Sequence, residues 1–421
     1  MSQVPSTSLP LRPGNGQSVG QASSDHAADK PNRGSRRRRD ENEASSLPAQ
    51  DILERIGNPK KRKRNQTEDH LKPYKHSAQW YYRTRSPYIS IGTNFHVSWA
   101  IEGNPDDPIL EDMSDDDKKQ QVDAYKKFIN RVPGLQLHLL DLMHESKVAD
   151  LEHFIIWLET QATQARTADT NLLKTKILSY MLKNPLTDTL DPPLSPEELS
   201  KANRGFSHPF TAMLLCPRKF RAGFVRNPTK VKRKLKEGIS KVDNSSLPFF
   251  CYDIDLYNED NLWLGLFRNP LLIRAARAIL FGESKALTGI EDFSRAPRKS
   301  NAHSNGIKGI EPGFIAMICC QVRFALSSVE SWEVTDGDFR YDVFHHDVIM
   351  KFENGEDSWG TETLQWWNQQ VFGRASNNDD DEDGDDSDAD PADENEQLAR
   401  TQKERIMVKK TADAPVNADG C

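Results

Sequence analysis

Residues 312–329 read PGFIAMICCQVRFALSSV. Wound into a helix, this stretch is apolar almost all round, interrupted only by Gln321 and Arg323. A helix at the surface keeps a polar face, so one without such a face is surrounded by other elements. Pro312 suits the first helical position, where no backbone N–H is needed. Spanning a bilayer takes about 20 apolar residues, and this run is too short and too broken for that. The stretch therefore predicts the central, fully surrounded helix, and the helical patterns on either side of it make the expected fold mostly α.

Working outward, the sequence supplies those helices. Residues 268–282, RNPLLIRAARAILFG, carry Asn269 to cap the N-terminus, Pro270 at the first position and Gly282 just past the end. Residues 113–134 place Ser114 as an N-cap, with Asp117 three residues on, ahead of an apolar stripe of Val122, Tyr125, Phe128 and Val132. Pro133 and Gly134 stop it. Residues 135–143 begin another helix. Leu151, Phe154, Ile155 and Leu158 mark a third, and Leu173, Ile177, Met181 and Tyr180 a fourth. Residues 86–101, SPYISIGTNFHVSWAI, fit a helix starting at Ser86 and Pro87, though they also alternate like a strand. Residues 361–373, TETLQWWNQQVFG, close the domain.

Composition divides the chain into three. Its 421 residues are 36 % hydrophobic, below the globular average of about 45–50 %. The shortfall sits at the ends. Residues 1–78 are polar and net positive by about six, and the segment after Ser376 is net negative by about ten. Neither buries enough apolar area to offset the entropy of ordering, so both are expected to be disordered. The reading is a basic arm over 1–78, one helical domain over 79–375 and an acidic tail over 376–421. Five cysteines lack metal-site spacing, and Cys319 and Cys320 read as small buried hydrophobes. With no secretory leader evident, a reduced intracellular compartment is expected, and no membrane partner.

The most chemical-looking stretch is residues 341–352, YDVFHHDVIMKF. At 100° per residue Tyr341, Phe344, His345, Val348 and Phe352 share a stripe, while His346 diverges and lies beside Asp342. Adjacent histidines on a helix cannot chelate one ion, and Asp342 with His346 makes only two ligands. The stretch reads as a helix face, with His345 in the core on a carbonyl and His346 paired to Asp342 outside. Trp359, Trp366, Trp367 and Phe372 read as core packing. No phosphate-binding loop, nucleophile elbow or kinase set occurs, and no cofactor or metal is implied.

Charge is more informative. Pro59 followed by Lys60, Lys61, Arg62, Lys63 and Arg64 has the form read by nuclear import receptors. Arg36, Arg37, Arg38 and Arg39 add a second basic block, and Lys230, Arg233 and Lys234 lie on one side of a short amphipathic helix. Both groups are candidate nucleic-acid contacts.

Six stretches, RTADTNLLKTKIL, RGFSHPFTAMLLCP, LPFFCYD, NLWLGLFRNPLLIRAARAILF, QVRFALSSVESW and ETLQWWNQQVFG, occur in order between about residues 80 and 373. Together they resemble an uncharacterised helical domain family present in many copies in mushroom-forming fungi. The resemblance implies a helical fold and carries over no activity, cofactor or catalytic residue. The expected function is a non-catalytic nuclear interaction protein, associated with chromatin or nucleic acid, with the acidic tail engaging basic proteins. The competing expectation is an enzyme, or degenerate enzyme, of nucleic-acid metabolism or a mobile element.

Overall fold

In a computed structural model, the described residues are Leu53, Ile56, 71–144, 147–185, 187–194, 200–289, 300–354 and 358–373. The basic blocks at 36–39 and 60–64 and the acidic tail lie outside them. Among the described residues the fold is mostly α, as expected, and the only strands are a short antiparallel hairpin, β1 (Thr335–Asp336) and β2 (Phe339–Arg340).

The helices run α1 (Lys72–Thr84), α2 (Ile91–Gly103), α3 (Asp115–Asn130), α4 (Leu135–Leu142) and α5 (Val148–Tyr180). After a loop come α6 (Pro209–Leu215), α7 (Arg221–Arg226), α8 (Pro228–Lys236) and α9 (Pro270–Phe281). The short α10 (Glu283–Ala286) and α11 (Asn301–Ser304) precede α12 (Pro312–Leu326), α13 (Tyr341–Glu353) and α14 (Trp359–Phe372).

The stretch 312–329 forms the central helix. Every residue of α12 from Gly313 to Leu326 is buried, and the helix packs against α1, α5, α6, α9 and α13. Burial on all sides leaves no water for its polar groups, so each polar group needs a partner in the protein. Gln321 receives a hydrogen bond from Thr170 of α5 at 3.1 Å and donates one to the Tyr82 hydroxyl of α1 at 2.7 Å. Arg323 donates to Asp336 of the hairpin and to the Tyr341 hydroxyl, both at 2.7 Å, and stacks 3.5 Å from the Phe339 ring centre. The hairpin thus exists where α12 needs a carboxylate.

At the other end, α12 begins against the last carbonyl of α1. A Cβ on Gly313 would lie 2.1 Å from the Thr84 oxygen, so only glycine lets the two helices meet there.

Helix α5 is one element of 33 residues, about 50 Å long. The expected break into two helices does not occur. Its inward stripe runs Leu158, Gln161, Ala165, Asp169, Leu173 and Ile177, all buried, so the polar gap in the sequence is a polar stretch of a continuous face. Asp169 is tolerated because Arg83 of α1 meets it with two hydrogen bonds of 2.9 Å, both side chains 3 % exposed. Burial alone would pull Arg83 down, but the Asp169 charge and its bonds hold it above its ordinary value.

Two boundaries also differ from expectation. The folded region starts before residue 79: α1 begins at Lys72 and buries Leu71, Tyr74, Ser77 and Ala78, while Leu53 and Ile56 pack partly buried on the same core. Helix α2 is a helix, not a strand, but its cap is Ser90, which accepts from the Thr93 N–H. Ser86 instead accepts from Tyr88 and Ile89 N–H, making a turn ahead of the helix. Other caps match the reading: Ser114 accepts from Asp117 N–H, Asn269 from Leu271 N–H, and Gly282 follows α9 with φ 96°.

Gly313→Ala is expected to destabilise the domain by about 1–3 kcal/mol, the usual cost of overpacking. Gly103→Ala, where a Cβ meets nothing within 4 Å, serves as control. Urea unfolding followed by circular dichroism measures both, and equal stability of the two variants would contradict the close approach.

Candidate nucleic-acid interface

A second, smaller core adjoins the first, the two sharing Phe206 and Met213. Ala212, Cys216, Phe224 and Leu235 are its buried members, with Phe206, Met213, Phe220, Val231 and Val242 around them. It anchors α7 and α8. Helix α8 starts cleanly, with the Asn227 side chain accepting from Lys230 N–H at 3.0 Å and Pro228 following the cap.

The rest of this segment is basic. Between Arg218 and Lys241 there are ten cations (Arg218, Lys219, Arg221, Arg226, Lys230, Lys232, Arg233, Lys234, Lys236 and Lys241) against one acid, Glu237. On α8, Val231 and Leu235 define the inward direction. At 100° per residue Arg233 then points most directly outward, with Lys230 and Lys236 either side of it and Lys232 and Lys234 at the flanks. Exposure agrees: Lys230, Arg233 and Lys236 are exposed, and Lys232 and Lys234 are half-buried.

Few of these charges are neutralised. Lys219 pairs with Asp243 at 3.0 Å, and Arg221 sits 4.0 Å over the Phe249 ring. Lys232 reaches the Ser207 carbonyl at 3.4 Å. Among the described residues no ion pair involves Lys230, Arg233, Lys234 or Lys236. Like charges three or four positions apart repel: Lys230 with Arg233 and Lys234, Lys236 with Lys232 and Arg233. Each such pair costs roughly 0.2–0.5 kcal/mol. Only the cations in the last turn recover part of that from the helix dipole. The arrangement is unfavourable for folding and favourable for an anionic partner.

The sequence reading found Lys230, Arg233 and Lys234 and missed the other seven cations. Charge density over the whole window, rather than over one helix, carries that signal. Lys60, Lys61, Arg62, Lys63, Arg64 and Arg36, Arg37, Arg38, Arg39 lie outside the described residues.

The remaining candidates resolve into packing. His345 is buried, its Nε2 without a partner, and burial pulls it down to about 4 against an opposing pull from the Gly313 backbone. Asp342 does not pair with His346. Its partner is Arg340, the last hairpin residue, at 2.5 Å, which is already positioned when α13 begins. Trp359 donates to the Trp263 carbonyl at 3.1 Å and Trp367 to that of Phe267 at 2.8 Å. Phe267 itself adopts φ 56°, an uncommon conformation for a bulky residue, held by stacking on Phe352. Among the described residues no three His, Cys, Asp or Glu side chains group to hold a metal, and no helix is long and apolar enough to cross a membrane. The described cysteines, Cys216, Cys251, Cys319 and Cys320, are free and buried.

Lys201 is the most unusual ionisable group. It is fully buried, its Nζ donating to the Phe324 carbonyl at 2.7 Å and lying 3.3 Å from the centre of that residue's ring. Burial, with Arg204 nearby, pulls it down to about 7, against an opposing pull from Glu330. Arg204 caps the next carbonyl, that of Ala325, at 2.9 Å. This lysine closes the C-terminus of α12.

These features define an all-α domain bearing a basic satellite surface. Residues 160–372 match a family of unknown function, DUF6698, and the chain belongs to that family. The match takes in α8, α9, α12 and α14 in full. Comparison with curated proteins and with solved structures found no match.

A pH series tests the role of Lys201. Its protonated form is penalised in the folded chain but not in the unfolded one, where lysine titrates near 10.4. The wild type should therefore gain stability relative to Lys201→Met as pH rises from 7 to 9, by at most about 1.4 kcal/mol per unit. A gap between the two proteins that stays constant with pH would contradict the assignment.

Proposed function

We propose that this protein is a non-catalytic nuclear interaction module that holds nucleic acid through the phosphate backbone, using the basic surface of α7 and α8. The observation that carries the reading is the ten-to-one excess of cations over acids between Arg218 and Lys241, mounted on a small satellite core. Folding uses only a few of these charges, whereas phosphate contacts release condensed counterions and gain from every cation in reach. Phosphate contacts carry no sequence information, so the recognition proposed is of charge. The basic blocks at Lys60, Lys61, Arg62, Lys63 and Arg64 and at Arg36, Arg37, Arg38 and Arg39 support the same reading. The first supplies import through a receptor for basic peptides, and the second adds electrostatic attraction.

The test is fluorescence anisotropy of the full chain with mixed-sequence duplex DNA and single-stranded RNA across a salt series. Lys230→Glu, Arg233→Glu and Lys234→Glu together should weaken binding at least tenfold and flatten the slope of log affinity against log salt by about one unit per lost phosphate contact. Unchanged affinity and slope would overturn the interface. For localisation, a fluorescent fusion lacking residues 60–64 should lose nuclear enrichment, and undiminished enrichment would remove the import claim.

A further inference from the structure

A second concentration of positive charge lies in a cleft of about 480 Å³ on the main core. Its walls are the end of α1, the C-terminal turn of α3 and the loop 305–311 that leads into α12. Four cations line it, Arg85, Lys127, Arg131 and Lys308, against the single carboxylate of Glu311.

The cleft is built rather than accidental. The buried Trp80 ring carries a guanidinium on each of two approaches, Arg85 at 5.2 Å and Arg131 at 4.4 Å from its centre. Arg131 also donates to the Asn305 carbonyl, and a Cβ on Gly306 would meet that guanidinium at 3.2 Å, with φ 57° there as well. A side chain in place of Gly306 would push Arg131 aside. Glu311 is engaged by Arg85 at 2.5 Å, and Asp123 at the rim pairs with Lys127 at 3.1 Å and with Arg85 at 3.9 Å, so the unneutralised charge of the cleft is that of Arg131 and Lys308. Arg131 and the exposed Lys308 make no ion pair among the described residues. The Nε–H groups of both Arg85 and Arg131 find no acceptor. Burial lowers Arg131, Glu311 pulls it part of the way back, and the Arg85 charge on the other side of the indole lowers it again. An added anion relieves the repulsion between the two cations.

The chain carries its own anion close by. Asn368 of α14 accepts from the Ile310 N–H at 2.8 Å, so α14 lies against the cleft loop. Helix α14 ends at Phe372, about 6 Å further along its axis at 1.5 Å per residue. Residues 379–396 lie beyond it and outside the described residues. They hold 12 acidic residues and no basic one. Asp379 follows Gly373 by six positions, a tether of at most about 20 Å, and so short a tether gives an effective concentration in the millimolar range.

We propose that the acidic segment 379–396 of this same chain docks in the cleft formed by Arg85, Lys127, Arg131 and Lys308, as an intramolecular electrostatic strap. Carboxylates of the segment meet Lys308 and the Arg131 guanidinium, and the flanking acids stay in water. Contacts of this kind are screened within about 10 Å at 0.1 M salt, so the strap is released as ionic strength rises. The inference stands apart from the nucleic-acid reading, because it uses a different surface and a different anion.

The test uses the full chain at low and at 1 M salt, with zero-length carbodiimide cross-linking and peptide mapping. Cross-links from residues 379–396 to Lys308 and Lys127 are expected at low salt, independent of protein concentration, and absent at high salt. A second measurement compares lysine acetylation rates in the wild type and in a full chain whose acids in 379–396 are replaced by Asn and Gln. Lys308 and Lys127 should react several-fold faster in that variant, and Lys230 and Lys236 at unchanged rates. Cross-links only to the α8 lysines or to the basic blocks before residue 71, cross-links that scale with concentration, or equal acetylation at Lys308 would each overturn the proposal.

Discussion

The fold depends on burying one helix completely while meeting nearly all of its polar groups, the Arg323 Nε–H being the exception. Helix α12 supplies the middle of the core, with Gly313 through Leu326 all withdrawn from water. Such burial is favourable by roughly 25 cal/mol for each Å² of apolar surface, but an unmet polar group gives back about 1–3 kcal/mol. The surrounding chain keeps most of that loss away. Tyr82 and Thr170 meet Gln321, Asp336 meets Arg323, and Lys201 and Arg204 reach the terminal carbonyls of Phe324 and Ala325. The segment around residues 200–204 and the hairpin at 335–340 therefore make sense as devices for closing one end of α12.

How much of this was legible in the sequence depends on the distance over which each cause acts. Local causes read well. The all-round apolarity of α12, the Asn269, Pro270 and Gly282 signals of α9 and the Ser114 cap of α3 all lie within a few residues of their effect. Asp169 shows the opposite case. It breaks the apolar stripe of α5, and its partner Arg83 is 86 residues away, so a polar gap in sequence becomes a paired position in space. Lys201, 123 residues from Phe324, had no local signal at all. The start of α1 was hidden by the charged residues before it, although Leu71, Tyr74 and Ala78 already carry a helical spacing. Asp342 was assigned to His346 by helix geometry, and Arg340, two positions before it, is nearer.

The same logic divides the candidate sites. The basic surface is a property of one contiguous segment, and three of its residues were found from sequence because α8 is amphipathic. The cationic cleft is assembled from α1, α3 and the loop before α12, so no window of sequence contains it. Net charge conceals both features: the formal value of −7 averages a basic arm, two basic surfaces and a concentrated acidic tail. In this molecule the position of each charge matters more than the total.

Native-state amide hydrogen exchange tests the central claim most directly. If α12 holds the domain together, its interior amides can exchange only when the whole domain unfolds, so their opening free energy should equal the global value from denaturant unfolding. The amides of α7 and α8, on their small satellite core, should open at lower free energy. Interior amides of α12 exchanging faster than those of α5 or α9 would contradict the account.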